Sequence, residues 1–199
     1  MDTKTLDMDE LFNYYGSDKT KNGYANVYHA LFKNLKKKEI NFLEIGIGTM
    51  MQNAPSSMVG WALPGYKPGG SLRAWRDYFI NGKIYGADIQ LDTQFKEERI
   101  ETFLCNSTIK TEVEKTFGDN RTGMKFDIII DDGSHLDEHQ LKTIINLFPR
   151  VNPGGYYIIE DVVPNSRILT SFMDTIKQVC GDALIFVNEI KNLVIVSKR

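Results

Sequence analysis

Two short segments carry the residues most able to do chemistry. Asp131-Asp132-Gly133-Ser134-His135 and Glu160-Asp161 each follow a run of apolar residues. Carboxylates are preferred ligands of hard cations such as Mg²⁺, and a histidine can take up a proton near neutral pH. Each acidic pair also has a structural interpretation, because Asp132 could cap a helix and Glu160-Asp161 could end a strand in solvent. The fold decides between these interpretations, since a metal site requires the two segments to meet.

Short apolar runs alternate with helical patterns and predict the elements that hold these segments. Strands are expected at 40–45, 83–89, 102–105, 126–130 and 156–159, and two closely linked strands at 183–187 and 193–197 suggest a hairpin. Helical spacing predicts helices within 24–35, 72–79, 141–148 and 168–176, with Ser71 as a cap and a turn at 151–155. The expected fold class is α/β, a mostly parallel sheet with a C-terminal antiparallel hairpin and helices on both faces. The aromatic stripe of the first helix is attributed to core packing.

Ligands of an open α/β sheet bind outside the carboxyl ends of its strands. Polar residues follow each predicted parallel strand: Glu44 with two glycines, Asp88, Asn106-Ser107, Asp131-Asp132 and Glu160-Asp161. The two acidic pairs therefore fall at neighbouring strand ends, which favours a metal site over the structural interpretations. His135 lies on the same rim, where it could act as a general base.

The sequence Gly46-Ile47-Gly48 predicts a tight turn that lets a ligand approach the backbone. A dinucleotide fingerprint requires a third glycine where Met51 stands, and a helix that opens directly from the glycines. A nicotinamide dehydrogenase is therefore disfavoured. Because Asp88 can accept both hydroxyls of a ribose, these features suit a nucleoside cofactor without a pyrophosphate.

The segment at 49–70 holds three of the six prolines and four of the 16 glycines, which predicts a long loop. We expect it to be a substrate or lid loop, with Trp61 and Tyr66 as surfaces for the acceptor. Residues 1–39 are expected to form a helical N-terminal segment, and residues 1–199 a single domain.

Charge, apolar length and the first residues of the chain argue against several classes of protein. The chain has 24 Lys and Arg against 26 Asp and Glu, a net charge of −2, which argues against nucleic acid as a partner. No stretch approaches the roughly 20 apolar residues of a membrane helix, and the first residues do not resemble a signal peptide. We therefore expect a cytoplasmic protein without a membrane partner, in which Cys105 and Cys180 are free thiols.

Six motifs carry a family resemblance. Residues 43–48 (LEIGIG), 85–89 (YGADI) and 126–135 (FDIIIDDGSH) resemble motifs of class I S-adenosylmethionine-dependent methyltransferases. Residues 15–19 (YGSDK), 70–75 (GSLRAW) and 159–161 (IED) are similar, more narrowly, to metal-dependent sugar O-methyltransferases that modify macrolide antibiotics and surface glycans. The resemblance implies a Rossmann-like sheet and methyl transfer to the hydroxyl of a free, nucleotide-linked or glycoconjugate sugar. We expect the chain to lack the additional N-terminal domain of the macrolide enzymes.

The same resemblance implies roles for individual residues. Asp132, Glu160 and Asp161 would bind a divalent cation such as Mg²⁺, and His135 with Asp132 would be catalytic. The residues expected to bind S-adenosylmethionine are Ser17, Lys19, Glu44, Gly46, Gly48, Ser71, Asp88, Asn106, Ser107 and Asp131, with Asp88 on the ribose and Asn106 and Ser107 near the adenine.

Several alternatives stay open at this point, and one is a nucleotide-binding module without catalysis. The acceptor could be another small molecule, such as a catechol, whose neighbouring hydroxyls could bind the same ion. Residues 135–139 (HLDEH) also fit the H-x-x-E-H pattern of zinc peptidases. Asp18 and Lys19 could close over the cofactor or form an ion pair on the surface. The sequence does not decide whether the chain forms a homo-oligomer.

Overall fold

The computed structural model describes residues 3–54, 57–62, 66–162 and 166–199. The helices are α1 (Met8–Tyr14), α2 (Tyr24–Phe32), α3 (Gly70–Tyr78), α4 (Lys110–Phe117), α5 (Asp137–Leu147) and α6 (Ser166–Cys180). The strands are β1 (Asn41–Ile45), β2 (Lys83–Asp88), β3 (Lys96–Glu97), β4 (Ile100–Leu104), β5 (Phe126–Asp131), β6 (Val151–Ile159), β7 (Leu184–Asn188) and β8 (Leu193–Ser197). Within the described part of 49–70, only turns and bends precede α3, as the loop prediction requires.

The strands form one sheet in the order β3-β4-β2-β1-β5-β6-β8-β7. The five central strands are parallel, whereas β3 and the β7–β8 hairpin pair antiparallel at the two ends. This arrangement confirms the expected fold class. The central position of β1 explains its apolar sequence, since helices cover both faces of a parallel sheet.

Two apolar layers lie on opposite faces of the sheet. Phe42 of β1 points into the layer with α1, α2 and α3, where its ring centroid lies 4.8 Å from that of Trp75. The next residue, Leu43, points into the layer that contains residues of α4, α5 and α6. Alternation along the strand therefore anchors both helical layers, and a fully buried side chain of this size contributes roughly 1.5–3 kcal/mol.

Two local expectations were wrong, and two elements were missed. Gly69 rather than Ser71 is the N-cap of α3, and the Ser71 hydroxyl instead donates to Glu44. Val151 already begins β6, because a short 3-10 helix at Phe148–Arg150 ends the preceding helix. Both α4 and the two-residue strand β3 were missed, since their charged sequences lack a clear apolar period. Cys105 and Cys180 are free and buried, as expected.

Backbone hydrogen bonds join the segments that follow neighbouring strands. The N–H of Gly46 donates to Ala87, that of Asp132 to Ile45 and that of Glu160 to Asp131, each at 2.9 Å. The ends of β1, β2, β5 and β6 therefore form one continuous rim. Among the described residues, no helix combines the length and apolar character that crossing a membrane requires.

Candidate active site

The glycine turn after β1 requires the absence of side chains. Gly46 and Gly48 have φ angles of 86° and 84°, in the left-handed region that favours glycine. A Cβ on Gly46 would lie 2.0 Å from the carbonyl oxygen of Asp132, and one on Gly48 would lie 2.2 Å from the Tyr66 hydroxyl. The turn therefore packs directly against the segment after β5 and against the loop before α3.

Asp88 holds this turn in place. Its Oδ2 accepts the N–H of Ile47 at 2.8 Å, and its Oδ1 accepts the N–H of Gln90 at 2.9 Å. Burial raises the pKa of Asp88, although the N–H donors oppose this shift. Each oxygen keeps a second lone pair, so the fixed carboxylate can still accept hydrogen bonds from a diol.

One cavity runs along the rim and brings together most of the predicted cofactor residues. Its lining includes Ser17, Lys19, Gly46, Gly48, Ser71, Asp88, Asn106, Ser107 and Asp131. Glu44 is the exception, since it is 0% exposed and lies behind this lining. Its Oε2 accepts the Ser71 hydroxyl at 2.8 Å, so Glu44 contacts a residue of the lining rather than the cavity itself.

A buried ammonium lies at the inner side of the acidic residues. The Nζ of Lys19 is 2.7 Å from Oδ2 of Asp132, 2.7 Å from Oε2 of Glu160 and 3.1 Å from Oε1 of Glu44. Lys19 is 1% exposed, which excludes a surface ion pair with Asp18. We define Lys19, Glu44, Glu160 and Oδ2 of Asp132 as the inner half of the carboxylate cluster.

The charges of the inner half depend on one another. Burial alone would lower the pKa of Lys19, but Asp132, Glu160 and Glu44 outweigh it and raise the pKa well above its usual value. Burial raises the pKa of Glu160 well above its usual value, and the charge of Asp132 adds to this effect. For Asp132, the attraction of Lys19 and His135 outweighs burial and lowers the pKa.

The outer half of the carboxylate cluster consists of Oδ1 of Asp132, His135 and Asp161, and it lines the cavity. The Nε2 of His135 lies 3.1 Å from Oδ1 of Asp132 and 3.6 Å from Oδ2 of Asp161. His135 and Asp161 have φ angles of 56° and 52°, strained values for residues with side chains. With this backbone, both side chains lie beside Asp132. Burial would lower the pKa of His135, but Asp132 and Asp161 raise it.

The outer half fits a divalent cation. One nitrogen or oxygen atom from each of Asp132, His135 and Asp161 lies within 4.8 Å of the other two, and the carboxylate oxygens among them suit Mg²⁺ or Mn²⁺. Glu160, the third predicted carboxylate ligand, lies next to this group with both oxygens on Lys19. The structure therefore brings the predicted metal residues together but divides them between the two halves.

The H-x-x-E-H pattern does not form a helical zinc site. His135 lies before α5 with a left-handed backbone, so the two histidines are not on one helix face. His139 Nδ1 instead pairs with the Ser134 hydroxyl at 2.7 Å.

Several contacts at the rim were not expected from the sequence. The Tyr24 hydroxyl donates to Oδ1 of Asp161 at 2.6 Å, and the Tyr28 hydroxyl donates to Oε1 of Glu160. Both tyrosines belong to the aromatic stripe that was attributed to core packing alone. Gln140 also lines the cavity, and its amide oxygen is buried without a partner among the described residues, as suits a polar ligand. A stripe reveals burial but not what a hydroxyl at its end contacts.

Comparison with known proteins agrees with this geometry, although no family model matches the chain. The chain is 36% identical over 161 residues to demethylmacrocin O-methyltransferase of Streptomyces fradiae, covering 78% of this chain and 36% of that protein. It is 36% identical over 135 residues to mycinamicin VI 2''-O-methyltransferase of Micromonospora griseorubida, covering 68% and 30%. The structure of the MycE methyltransferase with Mg and SAH matches at 28% identity with a TM-score of 0.75, covering 97% of this chain and 55% of that one.

The fold and the rim thus place the chain among the class I S-adenosylmethionine-dependent methyltransferases. Within that class it is similar to the sugar O-methyltransferases of macrolide and other polyketide pathways. The chain spans about a third of the length of these curated relatives and about half of the MycE chain.

Proposed function

We propose that the chain transfers the methyl group of S-adenosylmethionine to a sugar hydroxyl, assisted by a divalent cation and with His135 as general base. One observation carries the proposal: Nε2 of His135 converges with Asp132 and Asp161 on the rim of the cavity that Asp88 and the glycine turn also line. The sequence similarity to sugar O-methyltransferases supports the choice of acceptor.

The cofactor half of the proposal rests on fixed polar groups. Asp88 would accept the ribose hydroxyls, because its carboxylate is held by two N–H donors. Asn106 and Ser107 would lie near the adenine, where the Ser107 hydroxyl pairs with Thr143 at 2.9 Å. Further proposed contacts come from Ser17, Gly46, Gly48, Ser71 and Asp131, which line the cavity, and the buried Glu44 would support them by accepting the Ser71 hydroxyl.

The catalytic part of the proposal rests on the outer half of the carboxylate cluster together with Glu160 of the inner half. A Mg²⁺ ion held by Asp132, Glu160 and Asp161 would orient two acceptor hydroxyls and stabilise the developing alkoxide. His135 would accept the proton of the attacking hydroxyl at Nε2. Asp132 and Asp161 would then stabilise the imidazolium, since both raise the pKa of this histidine.

The acceptor would enter past the loop at 49–70. Thr49, Met58 and Tyr66 line the cavity, and the Tyr66 hydroxyl ties the loop to the glycine turn by donating to the carbonyl of Gly48 at 3.1 Å. Trp61, the other predicted contact, is 71% exposed and does not line the cavity.

We retain the interpretation of residues 1–199 as one methyltransferase domain with a cytoplasmic location.

The experiment is a transfer assay with S-adenosylmethionine labelled in its methyl group and a panel of acceptors that includes free sugars, nucleotide sugars, glycosides and catechols. His135→Ala should lower kcat by at least about a hundredfold, because it removes the base, while adenosylhomocysteine still binds. The matched control is His29→Ala, since His29 is exposed on α2 and does not line the cavity. Chelation should abolish turnover, and Mg²⁺ should restore it.

Three results would contradict parts of the proposal. Methylation of catechols but of no sugar would make the acceptor assignment wrong. Undiminished turnover in His135→Ala would exclude the proposed base, and turnover in excess chelator would exclude the metal.

A further inference from the structure

Lys19 has an unusual position for a lysine. Its ammonium contacts carboxylates from the ends of three strands, Glu44 of β1, Asp132 after β5 and Glu160 after β6. Lys19 and Glu160 are each 1% exposed and Glu44 is 0% exposed, so water does not compensate these charges. Buried charges are tolerated only when they are paired, and here three carboxyl groups share one ammonium.

Asp132 connects this cation to the outer half of the cluster. Its Oδ2 lies 2.7 Å from Nζ of Lys19, whereas its Oδ1 lies 3.1 Å from Nε2 of His135. The two oxygens of one carboxylate therefore face an internal ammonium on one side and the outer half of the cluster on the other. An ion bound by Oδ1 would lie close to the ammonium and be repelled by it.

The second anion of the inner half is held even more firmly. Both oxygens of Glu160 accept hydrogen bonds from Lys19, at 2.7 and 2.8 Å, and Oε1 also accepts the Tyr28 hydroxyl. The ammonium thus occupies both oxygens that Glu160 could offer to an ion.

We propose that Lys19 is a positioning residue, a built-in cation that occupies the inner half of the carboxylate cluster and so weakens the hold of the cluster on its exchangeable divalent ion. The inference rests on the metal site of the proposed function. It assigns to Lys19 a role that differs from direct contact with the cofactor: Lys19 keeps the three carboxylates together without the ion and limits the affinity when the ion enters.

The consequence of removing the charge has a definite sign. Lys19→Met keeps much of the side-chain volume but leaves three buried carboxylates without their cation. The protein without metal should therefore be less stable, while a divalent ion should bind at least about tenfold more tightly. A lysine that merely supports the fold would produce the first effect without the second.

The test is Mn²⁺ binding by isothermal calorimetry and electron paramagnetic resonance, together with thermal unfolding with and without Mn²⁺. Lys21→Met is the matched control, because Lys21 is exposed two residues further along the chain. Asp161→Asn reports whether the ion binds in the outer half. All measurements are made without acceptor or cofactor, so they do not depend on activity.

We expect Lys19→Met to bind Mn²⁺ more tightly and to gain more in melting temperature from Mn²⁺ than the unchanged protein and Lys21→Met do. If Lys19→Met folds only with Mn²⁺ present, chelation should unfold it, which would also support the inference. Equal or weaker Mn²⁺ binding by Lys19→Met, or by Lys19→Gln where the methionine variant cannot be isolated, would overturn it. Loss of Mn²⁺ binding in Asp161→Asn alongside that result would leave the proposed metal site intact, whereas no binding by the unchanged protein would refute the site itself.

Discussion

Replacing Asp131 by asparagine should change the stability of the protein in a way that depends on pH. Asp131 ends β5 and is 2% exposed, and burial raises its pKa from 3.8 to about 7. The folded protein therefore holds this proton more tightly than the unfolded chain does. Because a raised carboxyl pKa favours the protonated form, the free energy of unfolding falls as the pH rises from about 4 to about 7, and the loss is complete above that range.

The magnitude follows from the size of the shift. A difference of about 3 pK units costs about 4 kcal/mol of unfolding free energy at pH 8 and about 2 kcal/mol at pH 5. An asparagine side chain carries no charge at either pH, and its oxygen can still accept the N–H of Gly133 that Asp131 accepts. The change in unfolding free energy caused by Asp131→Asn should therefore be more stabilising at pH 8 than at pH 5 by about 2–3 kcal/mol. This difference does not depend on how the substitution affects packing.

The assay is urea unfolding of the protein with chelator and without cofactor, at pH 5 and at pH 8. Asp174→Asn serves as the control, because Asp174 is an exposed carboxylate on α6. The reasoning is refuted if the change in unfolding free energy caused by Asp131→Asn is equal at the two pH values, or is less favourable at pH 8.

Two further substitutions test the rim. Gly46→Ala should lower the free energy of unfolding clearly more than Gly60→Ala does. Both glycines have φ near 90°, but a Cβ on Gly46 would overlap a carbonyl oxygen, whereas a Cβ on Gly60 would have no atom within 4 Å. The shared φ strain is about 1–2 kcal/mol, so equal costs in urea unfolding would contradict the packing of the glycine turn. Tyr24→Phe removes the hydroxyl that orients Asp161, and it should weaken Mn²⁺ binding about tenfold. Tyr14→Phe, at a half-exposed ring on α1, should leave calorimetric Mn²⁺ binding unchanged, and equal affinities of the two variants would argue against the orienting role.

The strand ends could be predicted because they depend on local patterns. The apolar run before Asp131 and the run before Glu160 each specify a buried strand, and parallel pairing then places their ends side by side. Whether the two acidic pairs meet follows from topology alone, and the backbone bond from Glu160 to Asp131 agrees with it. The placement of His135 on the same rim followed from its short distance along the chain to Asp132.

The partners of the carboxylates could not be predicted in the same way. Lys19 lies 113 residues from Asp132 and 141 residues from Glu160 in the sequence, and no spacing rule relates such positions. Ser71 shows the same limitation at closer range, because a serine at a helix start suggests a cap, whereas the buried Glu44 competes for its hydroxyl. Contacts of this kind are decided by which charges the fold buries, and that is known only when the layers are assembled.

The topology that forms the cleft also brings several carboxylates close together. A lysine from the segment before β1 compensates part of their charge. Parallel strands bring Glu44, Asp132 and Glu160 to one rim, and the 3-10 turn at Asp18–Thr20 supplies one ammonium against these three carboxylates. Tyrosine hydroxyls from α2 add hydrogen bonds but no charge. The rim therefore has more carboxyl groups than cations after its internal pairing. A sulfonium cofactor and a divalent cation are both positively charged. The carboxylates that Lys19 does not compensate would therefore attract the two groups that methyl transfer requires.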